Sequence, residues 1–191
     1  MIATETFPDF SALKPLVEIA ESCTFIRNPN AMIVDGANEL ERHVNVTIRL
    51  LEAHYAYARE NIEGFPQDCC GISSENVLYA FWRMGYANAA KIFNPLMDHS
   101  FVVLPFVMPQ SKGVILADPT SDQNWSGKKL PENLVEVLKD HDLATHPYYS
   151  VGRHTKCYVH HAGILSLPPG HEDLRVRDFL DLAFANPVRL N

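Results

Sequence analysis

Apolar residues recur at helical spacing through the first third of the chain. Between Ser11 and Ser22 they occupy positions 12, 13, 16, 17, 19 and 20; between Ala37 and Ile62, the residues Val44, Ile48, Leu51, Tyr55, Ala58 and Ile62 fall on one face. Two amphipathic helices are predicted. Pro15 sits near the first turn of the earlier one, where its missing N–H costs least, and Gly64 and Pro66 close the later one. From Ser73 to Met84 the chain is apolar almost all round, the pattern of a helix buried within a fold, and Gly85 ends it. The pattern changes again at His99. Apolar runs starting at Phe101 and at Val114 predict an antiparallel strand pair, separated by a turn-rich stretch through Pro105, Pro109 and Ser111-Lys112-Gly113 and closed at Asp118-Pro119. A helix from Pro131 to Lys139, a strand from Lys156 to His160, a turn at Pro168-Pro169-Gly170 and a helix from Leu174 to Ala185 complete the reading. Helices first and strands later is the order of an α+β domain, and no linker or repeat divides residues 1–191.

Composition narrows the class. Of 191 residues, 47% are apolar and 20% charged, which excludes disorder and collagen. A chain of this length buries roughly 70% of its unfolded surface and needs no metal or disulfide to fold. The net charge is −7 and only Lys128-Lys129 clusters basic residues, so a nucleic-acid partner is not expected. The longest apolar run, Phe101 to Met108, is too short to span a bilayer, so no membrane partner is expected either. The N-terminus has neither the basic stretch nor the apolar core of a signal peptide, which points to a reducing, cytoplasmic compartment. Four cysteines, Cys23, Cys69, Cys70 and Cys157, include one vicinal pair, which suits neither a disulfide framework nor zinc-ligand spacing.

Chemistry is suggested by three residue types in chain order. Cys69-Cys70 precede the buried helix, His99 opens the first strand of the pair and Asp118 ends the second. A cysteine at a helix N-terminus faces unpaired N–H groups and the positive end of the helix dipole, which stabilise a thiolate and offer donors to an oxyanion. If His99 directly faces Asp118, Leu104 faces Gly113 and the connection is wide, containing both prolines; Pro105, which has no ladder N–H, favours that register. A tight turn at Ser111-Lys112 would instead carry His99 past Asp118.

The run Cys-Gly-Ile-Ser-Ser, the apolar helix ending in Met-Gly-Tyr, then Asp-His-Ser-Phe-Val and Ala-Asp-Pro-Thr-Ser-Asp-Gln, together about residues 65–125, resembles the transglutaminase-like branch of the papain-like cysteine enzymes. That resemblance implies a papain-like α+β fold with a helical N-terminal part and a buried, nucleophile-bearing helix packed on an antiparallel sheet. It makes Cys70 the nucleophile, His99 the base and Asp118 the residue that orients the base. Cys70 fits better than Cys69 because Ser74 then lies four residues on, where many relatives carry Ser. Phe101 stands where Trp is common two residues after the His, and a Gly usual just upstream of the Cys is absent. Gln67 is too near the Cys to match the papain-type glutamine, so no second oxyanion donor is assigned.

The implied activity is acyl transfer or hydrolysis at an amide or thioester carbonyl of a small molecule, peptide or protein, through an acyl-thioenzyme and without a cofactor or metal. Whether water or an amine takes the acyl group stays open. A catalytically silent binding protein of the same fold is the alternative, and Cys157 with His160 and His161 is the residue set a metal-binding reading would use, although on a strand His160 faces away from the other two.

Overall fold

The computed structural model describes residues 30–94, 98–123, 134–139, 158–159 and 176–190. Among them are three helices, α1 (Ala37–Asn61), α2 (Cys70–Arg83) and α3 (Val176–Ala185), and six strands, β1 (Met32–Ile33), β2 (Ala90–Asn94), β3 (His99–Met108), β4 (Ser111–Asp118), β5 (Leu134–Lys139) and β6 (Tyr158–Val159). The strands form one sheet in the order β5-β4-β3-β2-β6, with β1 beside the far end of β3. Every pairing is antiparallel except β1 with β3, which is parallel. The fold is therefore α+β with a mixed sheet rather than a wholly antiparallel one. No helix among the described residues is long and apolar enough to cross a membrane.

The core lies between the helices α1 and α2 and one face of the sheet. Alternation along β3 and β4 sends Val102, Leu104 and Phe106, with Ile115 and Ala117, to the face that meets Leu50 and Leu51 of α1 and Val77, Leu78 and Phe81 of α2. Phe81 and Phe106 are wholly buried, each contributing roughly 2 kcal/mol by removal from water. Helix α2 is buried nearly all round, as its sequence predicts. It ends in a Schellman arrangement: Gly85 takes φ 92°, its N–H donates to the Trp82 carbonyl, and the Tyr86 N–H donates to the Phe81 carbonyl. The stripe α1 buries is Val46, Thr47, Leu50, Leu51, His54 and Ala58, rotated from the expected one, and Ile48 lies at the surface.

Three expectations are corrected. The first is the strand register. Met108 pairs with Ser111 and Val102 with Ala117, so Pro109 and Gln110 form a two-residue connection and β3 runs straight through Pro105. The wide connection and the Leu104–Gly113 pairing are wrong. Pro105 is tolerated because its carbonyl, and so the position of its missing N–H, points away from β4, into the seam where pairing to β2 has ended at Val103 and pairing to β1 begins at Phe106. There the Pro105 carbonyl accepts a hydrogen bond from Asn88 Nδ2 at 2.9 Å.

The second correction is the helix expected from Pro131 to Lys139. Residues 134–139 form a strand, six residues paired in register along β4. Val135 and Val137 pack against the core, and cross-strand pairing there overrides the helical signal of Pro131. Gly113 makes the approach possible, since a Cβ on it would collide with the Leu138 carbonyl oxygen. Third, β1 and β2 were not anticipated. The helix expected at Ser11–Ser22, the turn at 168–170, most of the Lys156–His160 strand and the set Cys157, His160 and His161 lie outside the described residues, as do Cys23 and Lys128-Lys129.

Candidate active site

The end of the sheet where β3 begins gathers the chemistry. Cys69 is the N-cap of α2, with no side-chain hydrogen bond capping the helix, and Cys70 is its first residue. Ser74, one turn on, donates its hydroxyl to the Ser100 carbonyl at 2.9 Å and so ties the start of α2 to the start of β3. Two aspartates turn the chain into this region through left-handed backbone, Asp68 at φ 55° and Asp98 at φ 48°. Such conformations cost a non-glycine residue about 1 kcal/mol and gather at functional sites. The Cys70 Sγ lies 3.7 Å from the Asp98 carbonyl oxygen.

His99 and Asp118 meet diagonally, not face to face. One step beyond the Val102–Ala117 pair, Asp118 lies opposite Phe101, and His99 is two residues further along on the same face. That offset is within reach of an imidazole and a carboxylate, and His99 Nε2 donates to Asp118 Oδ2 at 2.7 Å. Both are almost fully buried, at 2% and 0% exposure. The other carboxylate oxygen, Oδ1, accepts the Thr120 N–H at 2.9 Å, fixing the carboxylate in the turn through Pro119.

The same contacts set the charges. Burial works against a charged His99, but the Asp118 carboxylate and its hydrogen bond, with the Cys70 sulfur, raise the imidazolium to a pKa of about 10. Burial likewise works against a Cys70 thiolate, with Asp118 adding to it. The nearby His99 imidazolium and the Ser100 N–H together outweigh both, and Cys70 titrates below an ordinary thiol. With Nε2 on Asp118, Nδ1 is the ring nitrogen left for Cys70. The neighbouring thiol behaves oppositely: burial first, then the charges of Asp68 and Cys70, raise Cys69, whose sulfur lies 3.1 Å from the Gln67 carbonyl. The structure thus brings Cys70, not Cys69, together with His99 and Asp118.

No family model, curated protein or solved structure matches this chain.

A cleft of about 370 Å3 opens onto Cys70, lined also by Lys91, Phe93, Ser100 and Gln123, with Asp68, Gly71 and Asp98. Lys91 is 3% exposed and its Nζ pairs with Glu75 Oε1 of α2 at 2.6 Å. Sequence reasoning missed Lys91 because it lies on β2, a strand it did not foresee. It also passed over Gln123, although Gln123 stands in the same Asp-Pro-Thr-Ser-Asp-Gln run that supplies Asp118. Gln67, considered earlier, is exposed. Among the described residues no cluster of three or more His, Cys, Asp or Glu side chains is arranged to hold a metal.

Proposed function

We propose that this chain is a cysteine-nucleophile acyltransferase or amide hydrolase of papain-like, transglutaminase-like type, acting on an amide or thioester carbonyl of a small molecule, peptide or protein. The observation that carries the reading is the buried His99–Asp118 contact at 2.7 Å with the Cys70 thiol beside the same imidazole at the head of α2.

In this reading the Cys70 thiolate adds to the carbonyl carbon, and the C=O pair moves to oxygen. As the tetrahedral species collapses, the bond to the leaving nitrogen or sulfur breaks and His99 gives that atom its proton, leaving a Cys70 thioester and a neutral imidazole. Water or an amine then attacks the thioester while His99 takes its proton. The acyl group leaves on oxygen or nitrogen and the thiolate–imidazolium pair is restored. Asp118 orients the ring through Nε2 as the imidazole gives up and regains its proton.

Limiting iodoacetamide across pH 4 to 9, read residue by residue by peptide mass spectrometry on the wild type and His99→Ala, tests the pairing. Cys70 should react at a pH well below ~8.5 and lose that reactivity without His99, while Cys69 stays inert. Activated acyl esters should then leave an acyl mass on Cys70. Reaction at Cys69, or a Cys70 no more reactive than Cys23 or Cys157, overturns the assignment and favours a silent binding protein.

A further inference from the structure

A thioester-forming cysteine needs donors for the oxygen that becomes negative in the tetrahedral species. One set is in place at the head of α2. The first N–H of this region bonded within the helix is that of Ser73, to the Cys69 carbonyl at 2.9 Å, and no side chain caps the end. The earlier N–H groups are those a helix leaves without internal partners. There is room for an oxygen beside them, since a Cβ built on Gly71 meets nothing within 4 Å.

The same cleft is lined by a second candidate, Gln123. Gln123 is 6% exposed, and its Oε1 is buried with no hydrogen-bond partner among the described residues. Buried amides are normally paired, and an unpaired amide oxygen calls for an explanation. With Oε1 turned into the protein, the end of the amide offered to the cleft is Nε2, which carries two donors and no acceptor.

The backbone holding Gln123 is tied to the proposed base. Its N–H donates to the Thr120 carbonyl at 3.0 Å, and the Thr120 N–H donates to Asp118 Oδ1 at 2.9 Å. The other oxygen of that carboxylate receives His99. Tyr55 of α1 reaches the turn from outside, its hydroxyl 3.4 Å from Asp122 Oδ2.

We infer that Gln123 is the second oxyanion donor, its Nε2 facing the first-turn N–H groups of α2 across the cleft, so that a carbonyl oxygen attacked at Cys70 is held from both sides. The inference rests on the Cys70 nucleophile proposed above and adds a catalytic residue to it.

Two reactions of the same thiolate test it. Acylation by 4-nitrophenyl acetate passes through a tetrahedral oxyanion, whereas alkylation by iodoacetamide displaces iodide and forms none. Both rates are to be measured on the wild type, Gln123→Leu and Gln123→Met, with Cys70→Ala as the blank and thermal unfolding as the folding check. Both Gln123 variants should acylate about 100-fold more slowly while alkylating at the wild-type rate. Gln123→Met keeps the length of the side chain and adds no charge, so the comparison survives if Gln123→Leu does not fold. Acylation that is unchanged, or that falls in step with alkylation, overturns the inference, because Gln123 then supports the fold or the thiolate and not the oxyanion. If the wild type is not acylated at Cys70 at all, the nucleophile assignment fails, and this inference with it; that result is told apart by the blank.

Discussion

His54, in the middle of α1, and His99, at the start of β3, are both out of water, and they respond to it in opposite ways. Burial pushes the pKa of His54 down to about 4, so it sits in the core as a neutral ring, edge-on to Phe65. The same burial acts on His99, and the Asp118 carboxylate 2.7 Å away reverses the outcome, raising the pKa to about 10. Burial does not by itself make a histidine reactive or inert. What decides is whether the fold supplies a fixed opposite charge at hydrogen-bond distance, and here a two-residue diagonal across the β3–β4 pair supplies it.

Asp118→Asn breaks the contrast most completely. It removes the charge, so His99 should titrate much lower, measurable from its imidazole proton resonances as pH is varied. Cys70 should lose its low-pH alkylation, and acyl transfer should fall by about ten-thousand-fold, the size of loss known when a triad carboxylate becomes an amide. Uncompensating a buried partner should also cost about 3 kcal/mol in urea unfolding.

The acid limb of stability sharpens the other half of the comparison. Because His54 binds its proton less readily folded than unfolded, its contribution is present above pH 6.5 and is lost as pH falls from there to about 4. The loss should come to about 3 kcal/mol, read as the difference in unfolding free energy between those two pH values. His54→Leu should flatten that limb. His99 has the opposite sign: its contribution is complete below pH 6.5 and disappears as pH rises through about 10.

The smallest effect is expected where charges meet in water. Arg189 makes a two-pronged pair with Asp35 at 2.8 and 2.9 Å, yet both side chains are more than 60% exposed. Asp35→Asn should leave the unfolding midpoint unchanged, and a large shift would show that geometry alone, without burial, carries energy in this fold.

Much of the candidate site was legible in the sequence, because each part announces itself locally. A near-continuous apolar stretch closed by Gly85 marks α2, and Cys70 heads it; His99 and Asp118 bound the two apolar runs that become β3 and β4. What could not be read is what depends on partners. Pro105 argued against a straight strand only because the sequence does not say on which side its missing N–H falls. Residues 134–139 take their conformation from β4, and β2, with a lysine among its buried positions, has no period that reveals it. The stripe on α1 was misplaced because His54 and Thr47, polar by type, face inward. Gln123 offers no pattern at all, since an unpaired amide becomes visible only once everything around it is placed.

Pro105 also divides the labour of β3. Toward β2 the strand is hydrogen-bonded through residues 99–103, toward β1 only at 106 and 107, and the proline stands between the two with no N–H to join them. On that edge β3 behaves as two short zips sewn to one ribbon, with β4 as the continuous backing. The zip toward β1, which also carries the contacts of Ala31 and Ile33 with residues 183–188, is fastened apart from the teeth that hold His99 in place.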